Sequence, residues 1–416
     1  MTATRRQAFL LLCFLLTTSV FAQDWPRFRG PDGGGVSDDS NIPAKWDGDA
    51  FRWKVALPAV GHSSPVAWGG QVFVTCADEG SGLTTVLCLS AEDGKTLWRR
   101  DYPSDAYKHH GENSYASSSP AADAERVYVC LMQPRELKVV ALRHDGTDAW
   151  ATSLGPFVTQ HGGGHSPVVV DGLVVVANEQ DGPGSCLVAL DAAGGEVKWK
   201  VPRRSYRFSA STPCVFRPAG AGGPAQLVFT SWAHGMTGVN PADGSVLWEA
   251  AGAFEARTVG SPVAANEAGL VLASCGEGGG GRYLAAVRPP AAPGGGAEVA
   301  YKITRNAPYV PTPLVKGDLL FYVSDGGTAT CARAATGETV WQERIPGGGY
   351  FASPVCAGDK IFCVSKRGDV VVLAAADKFQ LLAHNQLGEK SCATPAVSSG
   401  RMFVRTYGHL SCVGAK

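Results

Sequence analysis

Neither sign of charge is in excess in this 416-residue chain, where 37 Lys and Arg stand against 37 Asp and Glu for a formal net charge of +0. The basic surplus that draws a protein to nucleic acid or to an anionic membrane face is missing. Past residue 22 no apolar run approaches the ~20 residues that a bilayer span needs. No two of the 12 cysteines are adjacent and none form C-x-x-C, which removes a vicinal disulfide, a dithiol redox pair and a C-x-x-C-H haem attachment. H-E-x-x-H and G-x-S-x-G are absent too, and the carboxylates show no paired acid/base spacing. What the chain has in quantity is 52 Gly and 26 Pro, separated by short Val-rich runs. Many short strands joined by tight turns give that composition.

Arg5-Arg6, the apolar run from Ala8 to Leu16 and the small-residue pattern Val20-Phe21-Ala22 read as a secretory signal peptide cleaved after Ala22. The mature chain is therefore expected in the periplasm or outside the cell. Cys13 follows Leu12 rather than a small residue, which argues against lipid attachment there. Export leaves eleven cysteines in an oxidising compartment, an odd number. Most lie in strand-like runs, such as VFVTC ending at Cys76 and VYVC ending at Cys130, and read as small buried hydrophobes. Cys356 and Cys363, on two strands joined by the turn 357–360, are the pair best placed to meet.

Self-similarity organises the rest of the chain. Eight Ser-Pro or Thr-Pro anchors recur: Ser64-Pro65, Ser119-Pro120, Ser166-Pro167, Thr212-Pro213, Ser261-Pro262, Thr312-Pro313, Ser353-Pro354 and Thr394-Pro395. They are spaced from 41 residues (Pro313 to Pro354) to 55 (Pro65 to Pro120). After each come a short apolar strand, a turn and a second strand, as in PVVVDGLVVVA from Pro167. The third strand and a Gly turn then lead to a Trp, as in LSAEDGKTLW (Leu89 to Trp98) and LDAAGGEVKW (Leu190 to Trp199). One four-stranded sheet per repeat fits this length.

Gly94, Gly146, Gly195, Gly244 and Gly337 each stand four residues before Trp98, Trp150, Trp199, Trp248 and Trp341. A residue free to take positive φ closes the last hairpin of each sheet. The Trp that follows can bury ~150–250 Å² against the next sheet. At ~25 cal/mol per Å² that contributes roughly 4–6 kcal/mol as an upper bound. The recurrence reads as packing between blades, not as a repeated catalytic motif. Two repeats are degraded: the fifth has Tyr301 at the Trp position and two Gly/Pro-rich insertions, and the seventh has no Trp. The insertion GEGGGG (276–281) matches G-x-G-x-x-G but precedes a strand-like run, so it reads as a loop and not as a dinucleotide site.

The last repeat stops at Lys416 without its Trp segment, while FRWKVAL (51–57) places an orphan Trp53 ahead of the first anchor. An N-terminal strand that completes the last blade would close the ring and remove its free edges. The chain is therefore expected to be all-β, an eight-bladed β-propeller over 51–416. A seven-bladed ring or a sandwich array fits the counts less well. Residues 23–50 read as an extension packed on the propeller, because Trp25, Phe28 and Trp46 would be costly to expose.

The unit from Ser166 to Trp199 resembles the PQQ-like propeller repeat shared by quinoprotein alcohol and glucose dehydrogenases and by the outer-membrane barrel-assembly propeller lipoprotein. DWPRFRGPDGGGVS (24–37) and HHGENSYASSSP (109–120) resemble a secreted bacterial subgroup of that family. The resemblance covers nearly the whole mature chain and implies the propeller fold. For the quinoproteins it also implies PQQ and Ca²⁺ at the channel mouth over a vicinal disulfide, which this sequence lacks. No haem motif is present to carry electrons onward, and no lipidation Cys follows the signal.

In such a ring the residues ahead of each anchor meet at one end of the channel. His62, Tyr115, His165, Arg257, Tyr309, Tyr350 and Lys390 are the expected lining there, with Phe208, and loops add His110, His109, Glu112, Asn113 and His161. This set is polar, aromatic and somewhat basic. It suits a compact anionic or hydroxyl-rich ligand, with Arg257 as a bidentate fork and the tyrosines as stacking faces; the plainer reading is a water-filled channel. His161 and His165 sit on a glycine loop, so metal binding is not expected. The sequence favours a non-catalytic binding or scaffold module in the cell envelope, taking a protein partner or such a ligand as a monomer. The competing reading is an enzyme, either a PQQ-dependent dehydrogenase or another with its site at the mouth.

Overall fold

In the computed structural model, residues 24–47, 50–134, 136–205, 207–218, 224–292 and 294–414 are described; the signal-peptide reading falls outside them. Eight four-stranded antiparallel sheets follow one another along the chain. Blade 1 is built from Val66–Trp68, Gln71–Ala77, Thr84–Ser90 and Thr96–Tyr102, and blades 2 to 7 repeat that order. Blade 8 takes three strands from the end of the chain, Ala396–Ser398, Arg401–Arg405 and His409–Gly414, and its fourth from Phe51–Ala56. That strand pairs antiparallel with the last one, with Trp53 opposite Cys412 and Val55 opposite Leu410. The ring closes through Trp53 as the sequence predicts. Helical structure is slight: two 3₁₀ turns of three residues, Ala251–Ala253 and Asn266–Ala268, stand among the strands.

The core lies in the seams between neighbouring blades. The recurring Trp works across these seams in two ways. Its indole N–H donates to a carbonyl of the next blade, as from Trp53 to Ala91, Trp98 to His144, Trp150 to Ala192 and Trp199 to Pro241, at 2.8–3.1 Å. Its ring also covers the Gly of the next blade's turn. At Gly195, with φ of 80°, a Cβ would lie 2.6 Å from the Trp150 ring. The Gly is thus fixed both by positive φ and by the neighbour's indole, which is why the two residues travel together in the sequence.

The degraded repeats are repaired from elsewhere. Tyr301 occupies the Trp place of blade 5, and its hydroxyl donates to Ala334 O at 2.5 Å. Trp248 departs from the pattern and donates to Gln226 of its own blade. In the Trp-less seam after blade 7, Trp46 of the N-terminal extension stacks on Phe362 of blade 7 and meets Phe51 of blade 8 edge-on. The Asn385 side chain holds it there, accepting from Trp46 N and donating to Ala44 O.

The Ser or Thr of each anchor has its own task. Each backbone N–H donates to the hydroxyl oxygen of the next blade's anchor, in the order Ser64, Ser119, Ser166, Thr212, Ser261, Thr312, Ser353, Thr394 and back to Ser64, at 2.8–3.2 Å. Eight hydrogen bonds thereby tie the innermost strands into a closed girdle. Ser and Thr fit here because each hydroxyl can accept the neighbour's N–H and keep its own hydrogen for the channel.

Eleven cysteines are described, and all are free. Ten are buried, as small hydrophobes would be, and Cys392 is partly exposed. Cys356 and Cys363 do not meet across their hairpin. Cys356 stands opposite Ile361, while Cys363 pairs with Val371 on the next strand.

Candidate functional site

Residues 24–37 run beneath the ring and close one end of its channel. Trp25 bridges to Ala67 of blade 1, Ala122 N of blade 2 donates to Pro26 O, and Val36–Ser37 adds a parallel fifth strand to blade 7. Two buried arginines make the central contacts. Arg27 donates to Pro213 O, and Arg29 donates to the carbonyls of Gly33, Gly34, Pro313 and Pro354 at 2.6–3.1 Å. Burial lowers both guanidinium pKa values, to about 10 for Arg27 and about 9 for Arg29. The glycines of GPDGGG leave room for these guanidinium groups: at Gly35, with φ of 74°, a Cβ would come within 2.7 Å of Arg29 Nη2. Phe28 points up between them and forms part of the cavity floor.

Above this floor opens a cavity of about 1350 Å³. Its wall follows the alternation of an extended chain. The residue one before each anchor Pro lines it in all eight blades, which is the hydroxyl girdle. The residue three before lines it as well: His62, Ser117, Gly164, Ala210, Val259, Val310, Phe351 and Cys392. At the rim stand Phe208, Arg257 and Lys390, five before their anchors. They are joined by residues from the turns between second and third strands, which reach the same end of the ring: Trp232, Glu277, Asp325, Lys366, Arg367 and Tyr407.

Of the residues expected to line the mouth, His62, His110, Arg257, Tyr309 and Lys390 do so, with Glu112, Asn113 and His161. Three do not. His165 stands two before its anchor, on the opposite side of the chain, and is sealed between Phe157 and Phe208. Tyr350, four before its anchor, is fully buried and donates to Pro346 O. Tyr115 turns into its own loop, where its hydroxyl donates to Tyr107 O at 2.6 Å. Tyr309 reaches the cavity but is 8% exposed. His165 and Tyr350 miss because they stand at even offsets from their anchor Pro, whereas Tyr115, at an odd offset, is drawn off by its bond to Tyr107.

The mouth's ionisable groups are unevenly paired. Glu112 binds Lys366 at 2.6 Å, Glu277 lies 3.6 Å from Arg282, and Asp325 accepts from the N–H groups of Tyr309 and Val310. Burial raises the Asp325 pKa. Arg257 Nη1 donates to His161 Nε2 at 2.9 Å, leaving His161 Nδ1 buried without a partner; His161 in turn stacks on His110. Burial and then Arg257 lower the His161 pKa. His62 sits edge-on to Tyr407, and burial, followed by the nearby Arg405, lowers its pKa to about 4. His165 is lowered to about 4 by burial alone. Neither His62 nor His165 adds positive charge at neutral pH.

PQQ with Ca²⁺ makes specific demands, since Ca²⁺ takes 6–8 oxygen ligands. The three carboxylates at the mouth are committed to separate partners, and no group of three or more His, Cys, Asp or Glu among the described residues is placed to hold a metal ion. The donor set does not fit the calcium half of that cofactor.

A family model described as "Outer membrane protein assembly factor BamB" matches residues 44–155 and 84–343. The fold is similar to that of BamB from Moraxella catarrhalis, at 12% identity over 88% of this chain and 97% of that one, with a TM-score of 0.61. It is also similar to the quinohemoprotein alcohol dehydrogenase of Comamonas testosteroni, at 13% identity over 95% and 81% of the two chains, with a TM-score of 0.63. A third likeness is to the computationally designed Ika8 protein, at 11% identity over 86% and 98%, with a TM-score of 0.61. At such identities these structures share the fold and nothing finer. No curated protein sequence matches the chain.

Proposed function

The chain belongs to the family of the outer membrane protein assembly factor BamB, and on that premise we propose that it is a non-catalytic binding or scaffold module of the cell envelope. Its working face is the open mouth of the cup. The observation that carries this reading is the state of the groups at the mouth. The carboxylates are tied to separate partners, while burial first and a neighbouring arginine second lower the pKa of both His62 and His161. General acid/base catalysis needs a proton donor and acceptor converging on one point. The same mouth is wide and closed below by the chain's own segment, which suits retention of a guest.

Purified protein supplied with PQQ and Ca²⁺ should show no dye-linked oxidation of alcohols or aldose sugars. Stoichiometric PQQ binding with turnover would replace this reading with the dehydrogenase one. The location in the periplasm or outside the cell rests on the N-terminal sequence. No helix among the described residues is long and apolar enough to cross a membrane. N-terminal sequencing of the exported protein should begin at Gln23, and retention in the cytoplasm would contradict the envelope assignment.

A further inference from the structure

We infer that the cup takes a carboxylate-bearing, hydroxyl-rich ligand, such as a short chain of uronic acid units, with its carboxylates on the rim and its hydroxyls reaching the girdle below. This rests on the proposed reading of the protein as a binding module and names the chemistry of what it binds. Five cations line the cavity against three carboxylates, in a chain whose overall formal charge is +0. Lys366 is neutralised by Glu112. Arg207, Arg257, Arg367 and Lys390 have no carboxylate partner among the described residues, and Arg257 Nε is buried without any hydrogen-bond acceptor. A concave wall with unneutralised cations focuses its field on the space it encloses and concentrates anions there. The buried Nε and the unpartnered Nδ1 of His161 and His62 point to a polar guest.

The vertical order of the wall makes the preference more specific. The rim cations Arg257 and Lys390 stand four residues above the girdle hydroxyls of their own blades, about 13 Å at ~3.3 Å per extended residue. Between them lies a tier with Val259, Val310 and Phe351, which offers apolar surface to the faces of sugar rings. A simple inorganic anion would use only the rim. A ligand that spans rim and girdle must be anionic at one level and able to accept or donate hydrogen bonds at the other.

The test is calorimetric titration at low salt with three probes: tetragalacturonate, neutral maltotetraose, and benzene-1,3,5-tricarboxylate, which has carboxylates and no hydroxyls. Tetragalacturonate should bind at least tenfold more tightly than either of the others. Its affinity should fall at least tenfold in 0.5 M NaCl, and by as much in the triple variant R257Q/R367Q/K390Q, whose melting temperature is measured alongside because Arg257 also contacts His161. Val259→Trp, which narrows the middle tier and leaves the rim charges intact, should also weaken binding, with its melting temperature measured alongside. Equal binding of maltotetraose, or of the tricarboxylate, would overturn the inference, as would no binding of any probe or unchanged affinity in the triple variant. Cleaved or oxidised tetragalacturonate seen by mass spectrometry would overturn the non-catalytic reading and leave the ligand class standing.

Discussion

Deleting residues 24–57 should abolish the folded monomer, whereas deleting only 24–35 should leave a closed ring that melts at least about 5 °C lower. The longer deletion removes Phe51–Ala56, so blade 8 loses its outer strand, and it also removes Trp53 and Trp46 from the seams on either side of that blade. Unpaired strand edges and uncovered apolar faces then favour aggregation. The shorter deletion spares closure but takes away Trp25, Arg27 and Arg29, which are at most 2% exposed. Charge-assisted hydrogen bonds of the kind Arg29 makes are worth roughly 1.5–3 kcal/mol each. Those bonds and the buried Trp25 ring are lost together, and each kcal/mol of lost stability moves Tm by a few degrees at most in a domain of this size. Size-exclusion chromatography and calorimetry on both deletions check this. If the shorter one melts with the intact chain, residues 24–35 cover the ring without stabilising it; if the longer one stays monomeric, closure through Trp53 is wrong.

The ring and its closure were legible because turn, Trp and anchor repeat at intervals that only a four-stranded unit fills, and because one missing strand is matched by one orphan. The girdle was legible as a pattern without its reason. Ser-Pro and Thr-Pro mark the anchors, but only the three-dimensional ring shows that each hydroxyl accepts the N–H of the preceding blade. The plug was half legible. Trp25 and Phe28 argue for packing, yet no periodicity tells that Arg27 and Arg29 would cap carbonyls at the ring's centre, and the glycine run reads as a loose loop until the guanidinium groups lie on it.

The mouth was the least legible part, for two physical reasons. The expected lining residues stand at unequal distances from their anchor Pro, although an extended chain sends alternate side chains to opposite sides. Counting strictly in twos would have put Val259, Val310 and Phe351 in the wall and left out His165 and Tyr350. The second reason lies in the turns between second and third strands. In an antiparallel blade they return to the same end as the loops that enter each anchor, and they deliver Trp232, Lys366, Arg367 and Tyr407.

His165, drawn from the wrong side of that alternation, leads to the other large effect: His165→Phe should stabilise the protein, and more so in acid. The ring of His165 is fully buried between Phe157 and Phe208, and neither of its nitrogens has a hydrogen-bond partner. Leaving buried polar atoms unsatisfied costs roughly 1–3 kcal/mol, which phenylalanine, of similar shape, would not incur. Burial also holds the pKa at about 4, against the ordinary 6.5. Between those values the unfolded chain binds a proton that the folded chain refuses, so stability rises with pH across this window and is lost as pH falls through it. The shift corresponds to about 3 kcal/mol at pH 4. Urea unfolding should therefore give a variant more stable than the wild type at pH 7.5, with the gap widening by about 3 kcal/mol at pH 4. His62, also at about 4, is present in both proteins, so its share of the acid loss cancels in the comparison. A gap that stays constant with pH would mean that His165 takes up its proton in the folded ring, and that this seam admits water where the packing of two phenylalanines should exclude it.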